Sequence, residues 1–462
     1  MSHNQLPPGI PARVHFSGIG GAGMSALAIV LAEAGCSVSG SDRDRTPVTQ
    51  DLEARGIRIT TDQTRVPLEW NPQLVVRTAA MRTDHPEILS ALAAGLPVIK
   101  RAELLGLFSE CAHSIAVAGT HGKTTVTAML SWTLDACGLE PGWFIGARLN
   151  SLPQGRLGAG NYRVLEADEF DRSFLTLSPA HLLVTHLDWD HVDIYPRPAD
   201  LYSAMDQLVA QVRLDPVILQ VSGEPADLAW RPRNRRTVLV GEHADCDYRL
   251  QSGNGIWSLV RQTAAGGSLE FTPPLPGRHN RLNAAQCLAW IWEHESVLGI
   301  PVSRAAEALQ GFHGLLRRFQ TVWQGNGRLL LDDYAHHPSE IAAFIQAARE
   351  LAPTRLTVIH QPHTYSRVRA FCRETAEALA GADRVITWPV FAAREAAVDG
   401  VTHRSFLPWM ESHPDARALD TPDELLQLLE NTRPGELVAT VGAGDLYRLH
   451  PAIISVLERG PA

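Results

Sequence analysis

The most constraining feature of the sequence is an apolar run that leads, through a glycine turn, into a lysine and two threonines. Ile115–Ala118 precedes Gly119-Thr-His-Gly122 and Lys123-Thr-Thr125, after which apolar residues recur at helical spacing. A strand, a tight turn and a helix N-terminus bring backbone amides to one point, which suits a polyphosphate. Lys123 can reach the terminal phosphates, and the Thr124 hydroxyl can join the shell of a magnesium ion. This stretch predicts a nucleoside triphosphate site, although its loop is two residues shorter than the common phosphate-loop pattern.

Length and composition narrow the class of protein. A chain of 462 residues predicts about two to four domains. The formal charge of −9 argues against a nucleic-acid partner, whose phosphates need a basic face. We find no secretory leader and no apolar run of ~18 residues, so we expect a cytoplasmic protein without a membrane span. Six cysteines lie scattered in apolar or helical contexts, which predicts buried free thiols.

The first predicted domain, residues 1–105, contains a dinucleotide-type fingerprint. A short strand, Val14–Ser17, runs into Gly18-Ile-Gly-Gly-Ala-Gly23, a predicted helix covers Met24–Ala34, and a second strand leads to Gly40-Ser-Asp42. The glycine turn accommodates any diphosphate, and Asp42 can bind any ribose diol. An NAD cofactor and a UDP-linked substrate both satisfy this pattern.

The second predicted domain, residues 106–319, places acidic residues after two strands. Glu166-Ala-Asp-Glu169 follows the predicted strand Tyr162–Leu165, and Asp190-His191 follows His181–Thr185. Because the carboxyl ends of parallel strands meet at one edge of a sheet, both clusters are placed to bind magnesium beside the phosphate loop.

A helix is predicted from Ala284 to His294, preceded by Pro276-Gly-Arg-His-Asn-Arg-Leu-Asn283. Asn and His at a helix start are common caps, and they equally offer polar edges to an adenine ring. The residues leave these two interpretations open.

The third predicted domain, residues 320–462, repeats an α/β pattern. Its predicted strands are followed by polar loops at Asp332-Asp-Tyr-Ala-His-His-Pro338, His360-Gln-Pro-His-Thr-Tyr-Ser-Arg367 and Gly442-Ala-Gly-Asp445. Two neighbouring loops rich in His, Arg, Tyr and Asp indicate a binding surface.

Taken together, the motifs resemble those of the Mur ligases of peptidoglycan synthesis, in family order over nearly the whole chain. The motifs are Gly18-Ile-Gly-Gly-Ala-Gly-Met24, Gly40-Ser-Asp42, Gly119-Thr-His-Gly-Lys-Thr-Thr125, Glu166-Ala-Asp-Glu169, Asp190-His191, Gly277-Arg-His-Asn280, Arg317-Arg-Phe319, Asp333-Tyr-Ala-His-His-Pro338 and Gln361-Pro-His363.

The resemblance implies an α/β protein of three domains: an N-terminal Rossmann-like domain, a central P-loop ATPase-like domain with a mixed sheet, and a C-terminal Rossmann-like domain. It implies an ATP-dependent ligase that joins L-alanine to the lactyl carboxylate of UDP-N-acetylmuramate through an acyl phosphate. ATP and Mg²⁺ are the implied cofactors, and the implied assembly is a monomer or homodimer.

The resemblance also assigns roles to residues. Lys123, Glu166, His191, His337 and Arg367 are the implied catalytic residues, and Thr124, Glu166 and His191 the implied magnesium ligands. The implied ATP contacts are Gly119, Thr120, His121, Gly122, Lys123, Thr124, Thr125, His279, Asn280 and Arg317. The implied substrate contacts are Gly18, Gly20, Gly21, Ala22, Gly23, Met24, Ser41 and Asp42 for the UDP-sugar, with Tyr334, His337 and Arg367 for the amino acid.

The resemblance is incomplete at two places. Many family members have arginine where this chain has Thr364, and sibling ligases use a carbamylated lysine where this chain has no lysine between His191 and Arg213. Two alternatives stay open. One is the related ligase that attaches a whole tripeptide to UDP-N-acetylmuramate, and the other is a NAD-dependent oxidoreductase, which the N-terminal fingerprint alone would support.

Overall fold

A computed structural model of the protein describes residues 6–147, 152–192, 194–253, 256–263, 266–393 and 395–460, apart from the side chain of Asp227. The chain divides into two compact units. The first contains residues up to Pro274 together with Leu282–His313, and the second contains Leu275–Arg281 together with the chain from Gly314 onward.

Twenty-one strands form three sheets in the described part of the chain. The N-terminal strands are β1 Arg13–Ser17, β2 Ser37–Ser41, β3 Arg58–Thr60, β4 Leu74–Arg77 and β5 Val98–Lys100. The central strands are β6 His113–Ala118, β7 Gly142–Phe144, β8 Gly155–Arg156, β9 Tyr162–Glu166, β10 His181–Val184, β11 Val217–Val221, β12 Thr237–Gly241, β13 Tyr248–Gly253, β14 Ile256–Arg261 and β15 Ser268–Phe271. The C-terminal strands are β16 Gln320–Gly325, β17 Arg328–Asp333, β18 Arg355–His360, β19 Arg384–Thr387, β20 Ala416–Ala418 and β21 Glu436–Val441.

Thirteen α-helices connect these strands in the described residues. They are α1 Ala22–Glu33, α2 Pro47–Ala54, α3 Pro86–Ala93, α4 Arg101–Ser109, α5 Lys123–Ala136, α6 Pro198–Gln211, α7 Arg278–Glu293, α8 Glu295–Leu298, α9 Val302–Gln310, α10 Pro338–Glu350, α11 Tyr365–Leu379, α12 Pro422–Leu429 and α13 His450–Arg459.

The sheet orders confirm the predicted fold class. The first sheet is wholly parallel in the order β3-β2-β1-β4-β5. The second is mixed, in the order β15-β14-β13-β12-β11-β10-β6-β9-β7-β8, with antiparallel pairs at both ends. The third runs β16-β17-β21-β18-β19-β20 and is parallel apart from its β16 edge. In each sheet the loops after parallel strands meet at the carboxyl edge, where ligands bind in such folds.

Within the first unit, helix α1 joins the N-terminal sheet to the central one. The Ser25 hydroxyl donates to the Gln154 side-chain oxygen at 3.0 Å, and the Leu157 amide donates to the Glu33 carboxylate at 2.7 Å. Buried side chains of both sheets belong to one hydrophobic core. The two sheets are therefore packed against each other and not merely tethered.

Two predicted helices begin elsewhere: α1 starts at Ala22, two residues before the predicted Met24, and α7 differs more. Helix α7 starts at Arg278, six residues before the predicted Ala284, so the prediction of its first residue was wrong. Gly277, at φ +94°, supplies the left-handed conformation just before the helix. His279 and Asn280 consequently lie inside the first turn rather than ahead of it.

Two further expectations can be compared with the structure. All six cysteines are free thiols, as predicted, but only three of them are buried and the other three are partly exposed. In the described part of the chain, every helix is too short or too polar to cross a lipid bilayer.

Buried His181 gives the first unit a predictable response to acid. Burial, followed by the nearby rings of His294 and His113, lowers the pKa of His181 from 6.5 to about 3. Between these two pKa values the folded protein keeps the ring neutral, whereas the unfolded chain protonates it. The contribution of the neutral ring to stability is therefore complete above pH 6.5 and is lost as the pH falls. At one pH unit below that value the loss is about 1.4 kcal/mol.

We therefore expect the free energy of unfolding to fall more between pH 7.5 and 5.5 in the wild type than in His181→Leu, by about 1.4 kcal/mol. Urea titrations at both pH values measure this difference. Equal falls in the two proteins would show that His181 can be protonated in the folded state.

Candidate functional site

The phosphate loop has the backbone shape that the sequence predicted. Gly119 lies at φ +130° and Gly122, which precedes α5, at φ +86°, a region that other residues rarely adopt. A Cβ atom on Gly119 would lie 2.1 Å from the Thr185 hydroxyl oxygen, so only glycine fits there. The turn at the carboxyl end of β6 therefore depends on these two glycines.

The strand next to β6 anchors this loop. The Thr120 amide donates to the His186 carbonyl at 2.8 Å, and the Thr120 hydroxyl donates to the Asp188 carbonyl at 2.7 Å. The His121 amide also donates to His186, at 3.3 Å, and its ring lies 3.5 Å from the Asp188 carboxylate. The loop therefore holds its shape through bonds to the segment after β10. Thr125 is buried in the first turn of α5.

Lys123 extends from the start of α5 back across the loop. Its ammonium donates to the carbonyls of Gly119 at 2.7 Å and Thr120 at 3.0 Å, and it pairs with Glu169 at 2.7 Å. Burial alone would lower the pKa of Lys123, but the Glu169 and Asp168 carboxylates outweigh it and raise that pKa. Lys123 is therefore a fixed, fully charged cation at the mouth of the loop.

Glu166 lies at the end of β9, next to the first turn of α5. Its carboxylate accepts the Thr124 hydroxyl at 2.7 Å and the Gly146 amide at 2.7 Å. Burial raises the pKa of Glu166, and the nearby Lys123 charge offsets that effect only in part. Thr124 and Glu166 together present hard oxygen donors, the ligand type that Mg²⁺ requires.

Glu169 is the central residue that sequence reasoning did not select, although it is the last residue of the quoted acidic motif. Its carboxylate contacts Lys123 and lies 3.6 Å from the His191 imidazole. Burial would raise the pKa of Glu169, but Lys123 and then His191 outweigh it and lower that pKa. Phe170 packs edge-on to the His191 ring at 5.4 Å. Glu169 therefore links the lysine with the histidine.

The N-terminal glycine loop lies at the carboxyl edge of the first sheet. The Gly20 amide donates to the Asp42 carboxylate at 2.7 Å, so the acidic residue of the fingerprint lies beside the glycine turn. Gly21 immediately precedes α1, which begins at Ala22, and the amides of Gly18 and Ile19 donate to the Ser41 carbonyl at 2.9 Å.

Two residues predicted to contact substrate are directed into the protein instead. The Ser41 hydroxyl is buried and donates to Glu87 at 2.7 Å, and Glu87 also contacts the buried His15 ring at 2.9 Å. Met24 is 1% exposed and belongs to the core. Ser41 therefore supports the loop through its carbonyl, and Met24 supports it through packing.

The second unit contains the predicted adenine contacts His279 and Asn280, together with Arg317. Burial, then the Arg281 charge, lowers the pKa of His279 to about 4, and the Asn280 amide donates to the Pro276 carbonyl at 2.7 Å. Arg317 donates to Asp332 at 3.2 Å and stacks on Tyr334 at 5.0 Å. Their contacts with a nucleotide remain predictions.

The two polar loops after β17 and β18 meet in the second unit. His337 caps helix α10, accepting the Ser339 amide at 3.4 Å, and its ring packs on Phe371 at 5.0 Å. Arg367 lies 3.2 Å from a ring nitrogen of His363. Sequence reasoning quoted His363 in a motif without assigning it a role.

His336 connects these two loops. Its ring lies 5.6 Å from Tyr334 and 5.7 Å from His363. Tyr334, His336, His363 and Arg367 thus form one continuous polar and aromatic surface. Thr364 follows at φ +63° and ψ 146°, a strained conformation for a residue with a side chain.

Three family models match the chain in sequence order. They are the catalytic domain of the Mur ligase family over residues 13–111, the Mur ligase middle domain over 117–291 and the Mur ligase glutamate ligase domain over 317–444.

Curated relatives match over nearly the whole chain. A UDP-N-acetylmuramate–L-alanine ligase from Paenarthrobacter aurescens is 37% identical over 452 residues, covering 96% of this chain and 97% of that protein. A ligase of the same name from Geobacter sp. is 37% identical over 456 residues, covering 96% and 98%.

Solved structures of Mur ligases resemble this chain over nearly its whole length. UDP-N-acetylmuramate–alanine ligase MurC from Thermotoga maritima has a TM-score of 0.77 at 27% identity, covering 97% of this chain and 99% of that one. A murein peptide ligase from Psychrobacter arcticus has a TM-score of 0.68 at 23% identity, covering 98% and 100%, and supports the fold alone.

Proposed function

The chain belongs to the Mur ligase family, and we propose that it uses ATP to join L-alanine to the lactyl carboxylate of UDP-N-acetylmuramate. The observation that carries this function is the convergence of Lys123, Thr124, Glu166, Glu169 and His191 around one phosphate loop. An oxidoreductase would give this convergence of charged groups no task.

The chemistry explains why such a site is needed. A carboxylate is a poor electrophile, so the lactyl carboxylate first takes the terminal phosphoryl group of ATP, which forms an acyl phosphate and ADP. The amine of L-alanine attacks the acyl carbon, and the tetrahedral intermediate expels phosphate to leave the amide. Lys123 neutralises charge on the transferring phosphoryl group, and Glu169 holds that ammonium in place.

The residues present fit a magnesium ion. Thr124 and Glu166 would hold it through oxygen, and His191 is the third ligand that we propose. An imidazole is a less usual ligand for this ion than a carboxylate. When bound, Mg²⁺ neutralises phosphate charge and orients the phosphate oxygens.

The other proposed contacts follow the loops. The amides of Ala22 and Gly23, in the first turn of α1, bind the diphosphate of the UDP-sugar, and Asp42 binds the uridine portion. His279, Asn280 and Arg317 contact ATP, and Tyr334, His337 and Arg367 bind the amino acid. Because ATP and a UDP-activated sugar are its substrates, we place the reaction in the cytoplasm.

Arg367→Ala should chiefly raise the KM for L-alanine, by roughly tenfold, since it removes a charge-assisted hydrogen bond to the amino-acid carboxylate. Steady-state kinetics with varied L-alanine measure this effect. Arg373→Ala is the matched control, because Arg373 lies on the same helix in an exposed ion pair with Glu377. An unchanged KM in Arg367→Ala would remove this arginine from the amino-acid site.

The function itself is tested by ADP and phosphate release with ATP, magnesium and UDP-N-acetylmuramate. L-Alanine, glycine, L-serine and the tripeptide L-alanyl-γ-D-glutamyl-meso-diaminopimelate are added in turn. Release that depends on L-alanine supports the proposal and makes Thr364 a tolerated variation. Release only with the tripeptide would identify the related recycling activity, and no release with any acceptor would contradict both.

A further inference from the structure

Two basic residues are adjacent in the chain where the N-terminal sheet faces the acidic motif of the central domain. Lys100 ends β5 and Arg101 begins α4, at the same edge of the sheet as the glycine loop after β1. Both belong to the first compact unit. The proposed function assigns neither residue a task. Lys100 is one of only two lysines among the 41 basic residues of the chain.

Arg101 lies against the first turn of α1. A Cβ atom built on Gly23 would lie 2.9 Å from Arg101 Nη1 and 3.0 Å from its Cδ. Gly23 therefore leaves the space that the arginine side chain occupies. The Arg101 side chain is 19% exposed, which leaves part of it accessible to a ligand.

This placement brings like charges together. The N-terminus of α1 carries a partial positive charge, has no acidic residue in its first turn and receives no side-chain cap. A guanidinium packed on such a helix end is unfavourable unless an anion lies between or beside them. Asp168 beside the guanidinium and Asp42 beside the Gly20 amide supply part of that negative charge. The glycine loop predicts a further anion, because a diphosphate binds at this end of the helix in such folds.

Asp168, in the central domain, forms an ion pair with Arg101. Its carboxylate lies 3.5 Å from Arg101 Nη2 and also accepts the Phe170 amide at 3.1 Å. The ion pair occupies one end of the guanidinium fork, and the Nη1 end is the one that lies against Gly23. A guanidinium has five N–H donors in fixed geometry, so it can bind a carboxylate and a phosphate at once.

We propose that Arg101 binds the diphosphate of the UDP-linked substrate and that Asp168, between Glu166 and Glu169 of the phosphoryl-transfer site, is its positioning residue. The substrate site in the N-terminal domain is thereby tied to the acidic motif beside the phosphate loop. This inference rests on the proposed function, which supplies the diphosphate.

The competing explanation is that Arg101–Asp168 is only a bridge between two packed domains. The structure offers a neighbouring bridge for comparison, since Lys100, directly before Arg101, pairs with Asp171, three residues after Asp168, at 2.7 Å, with both side chains 40% exposed. A general weakening of the domain contact would follow from either substitution.

The test is calorimetric titration with UDP alone, without ATP or amino acid, on the full chain. We expect Arg101→Ala to weaken UDP binding at least tenfold and Arg101→Lys to weaken it less, because a charge-assisted hydrogen bond is lost or only partly replaced. Asp168→Asn should weaken it about threefold and Lys100→Ala less than twofold. Asp168→Glu should recover part of the loss.

A double-mutant cycle separates positioning from independent effects. If Asp168 acts through Arg101, Asp168→Asn should add almost nothing to Arg101→Ala, whereas independent residues would give additive losses. Thermal unfolding of each variant shows that the compared proteins are folded.

The outcomes divide cleanly. Equal losses in Lys100→Ala and Arg101→Ala, or wild-type UDP affinity in Arg101→Ala, overturn this inference and leave the proposed ligase standing. Additive losses overturn the role of Asp168. Failure of the wild-type chain to bind UDP overturns the inference together with the proposed function.

Discussion

Lys123→Ala is expected to lower ATP-dependent ligase activity by at least ~100-fold while leaving UDP binding nearly unchanged. Lys123 is the cation that contacts the phosphate loop carbonyls and Glu169. Its removal takes away the main positive charge that the protein directs at the transferring phosphoryl group. UDP binding should survive because the glycine loop and Asp42 lie at a different sheet edge. Initial rates of ADP release and calorimetric titration with UDP measure the two quantities.

Lys100→Ala serves as the control for Lys123, because these two are the only lysines in the chain. It should retain ATP-dependent activity close to that of the wild type. Parallel loss of activity and of UDP binding in Lys123→Ala would show that the assignment of the two ligands to separate domains is wrong.

The same scarcity of lysine allows a test without substitution. An amine-specific reagent has two side-chain targets, and Lys123 is 11% exposed whereas Lys100 is 40% exposed. We expect ATP to protect Lys123 and not Lys100 from modification, which mass spectrometry of the digested protein detects. Equal labelling of Lys123 with and without ATP would contradict a contact between this lysine and the phosphates.

The phosphate loop could be predicted from sequence because its chemistry is local. Gly119, Gly122 and Lys123 are set by a strand, a turn and a helix start that follow one another directly, and the structure has that order. The position of Asp42 directly after β2 was likewise foreseeable from the fingerprint, whereas its bond with the Gly20 amide was not predicted.

Contacts that depend on pairing between distant segments could not be foreseen. Glu166 ends β9 and Glu169 lies three residues beyond it in the same acidic motif, and only the packing of β9 against β6 assigns Thr124 to one and Lys123 to the other. Ser41 lies at the end of a strand, a position that also fits a substrate contact. Its hydroxyl instead donates a hydrogen bond to the buried carboxylate of Glu87, 46 residues away.

The start of α7 was missed for a different reason. Arg278, His279 and Asn280 carry no apolar periodicity that would extend a helix toward Gly277. The positive φ of Gly277 and the bond between the Asn280 side chain and the Pro276 carbonyl set the start instead. Single polar residues at a helix end therefore remain the least predictable part of the candidate site.

Glu166→Gln is expected to lower kcat by roughly 100-fold and to raise the magnesium concentration needed for half-maximal activity. The amide keeps the size of the side chain and can still accept the Thr124 hydroxyl, so the fold around α5 should be preserved. It removes the negative charge that a divalent ion requires, and it turns an N–H group toward either Thr124 or the Gly146 amide.

Magnesium titrations of activity at saturating ATP measure both effects, with Glu69→Gln as the control because that carboxylate is exposed in a surface pair with Arg65. If the magnesium requirement of Glu166→Gln equals that of the wild type while kcat falls, Glu166 acts by orienting Thr124 and not by binding the ion. A variant that recovers full activity at high magnesium concentration would instead limit its role to ion affinity, because the transition state would then need nothing further from the carboxylate.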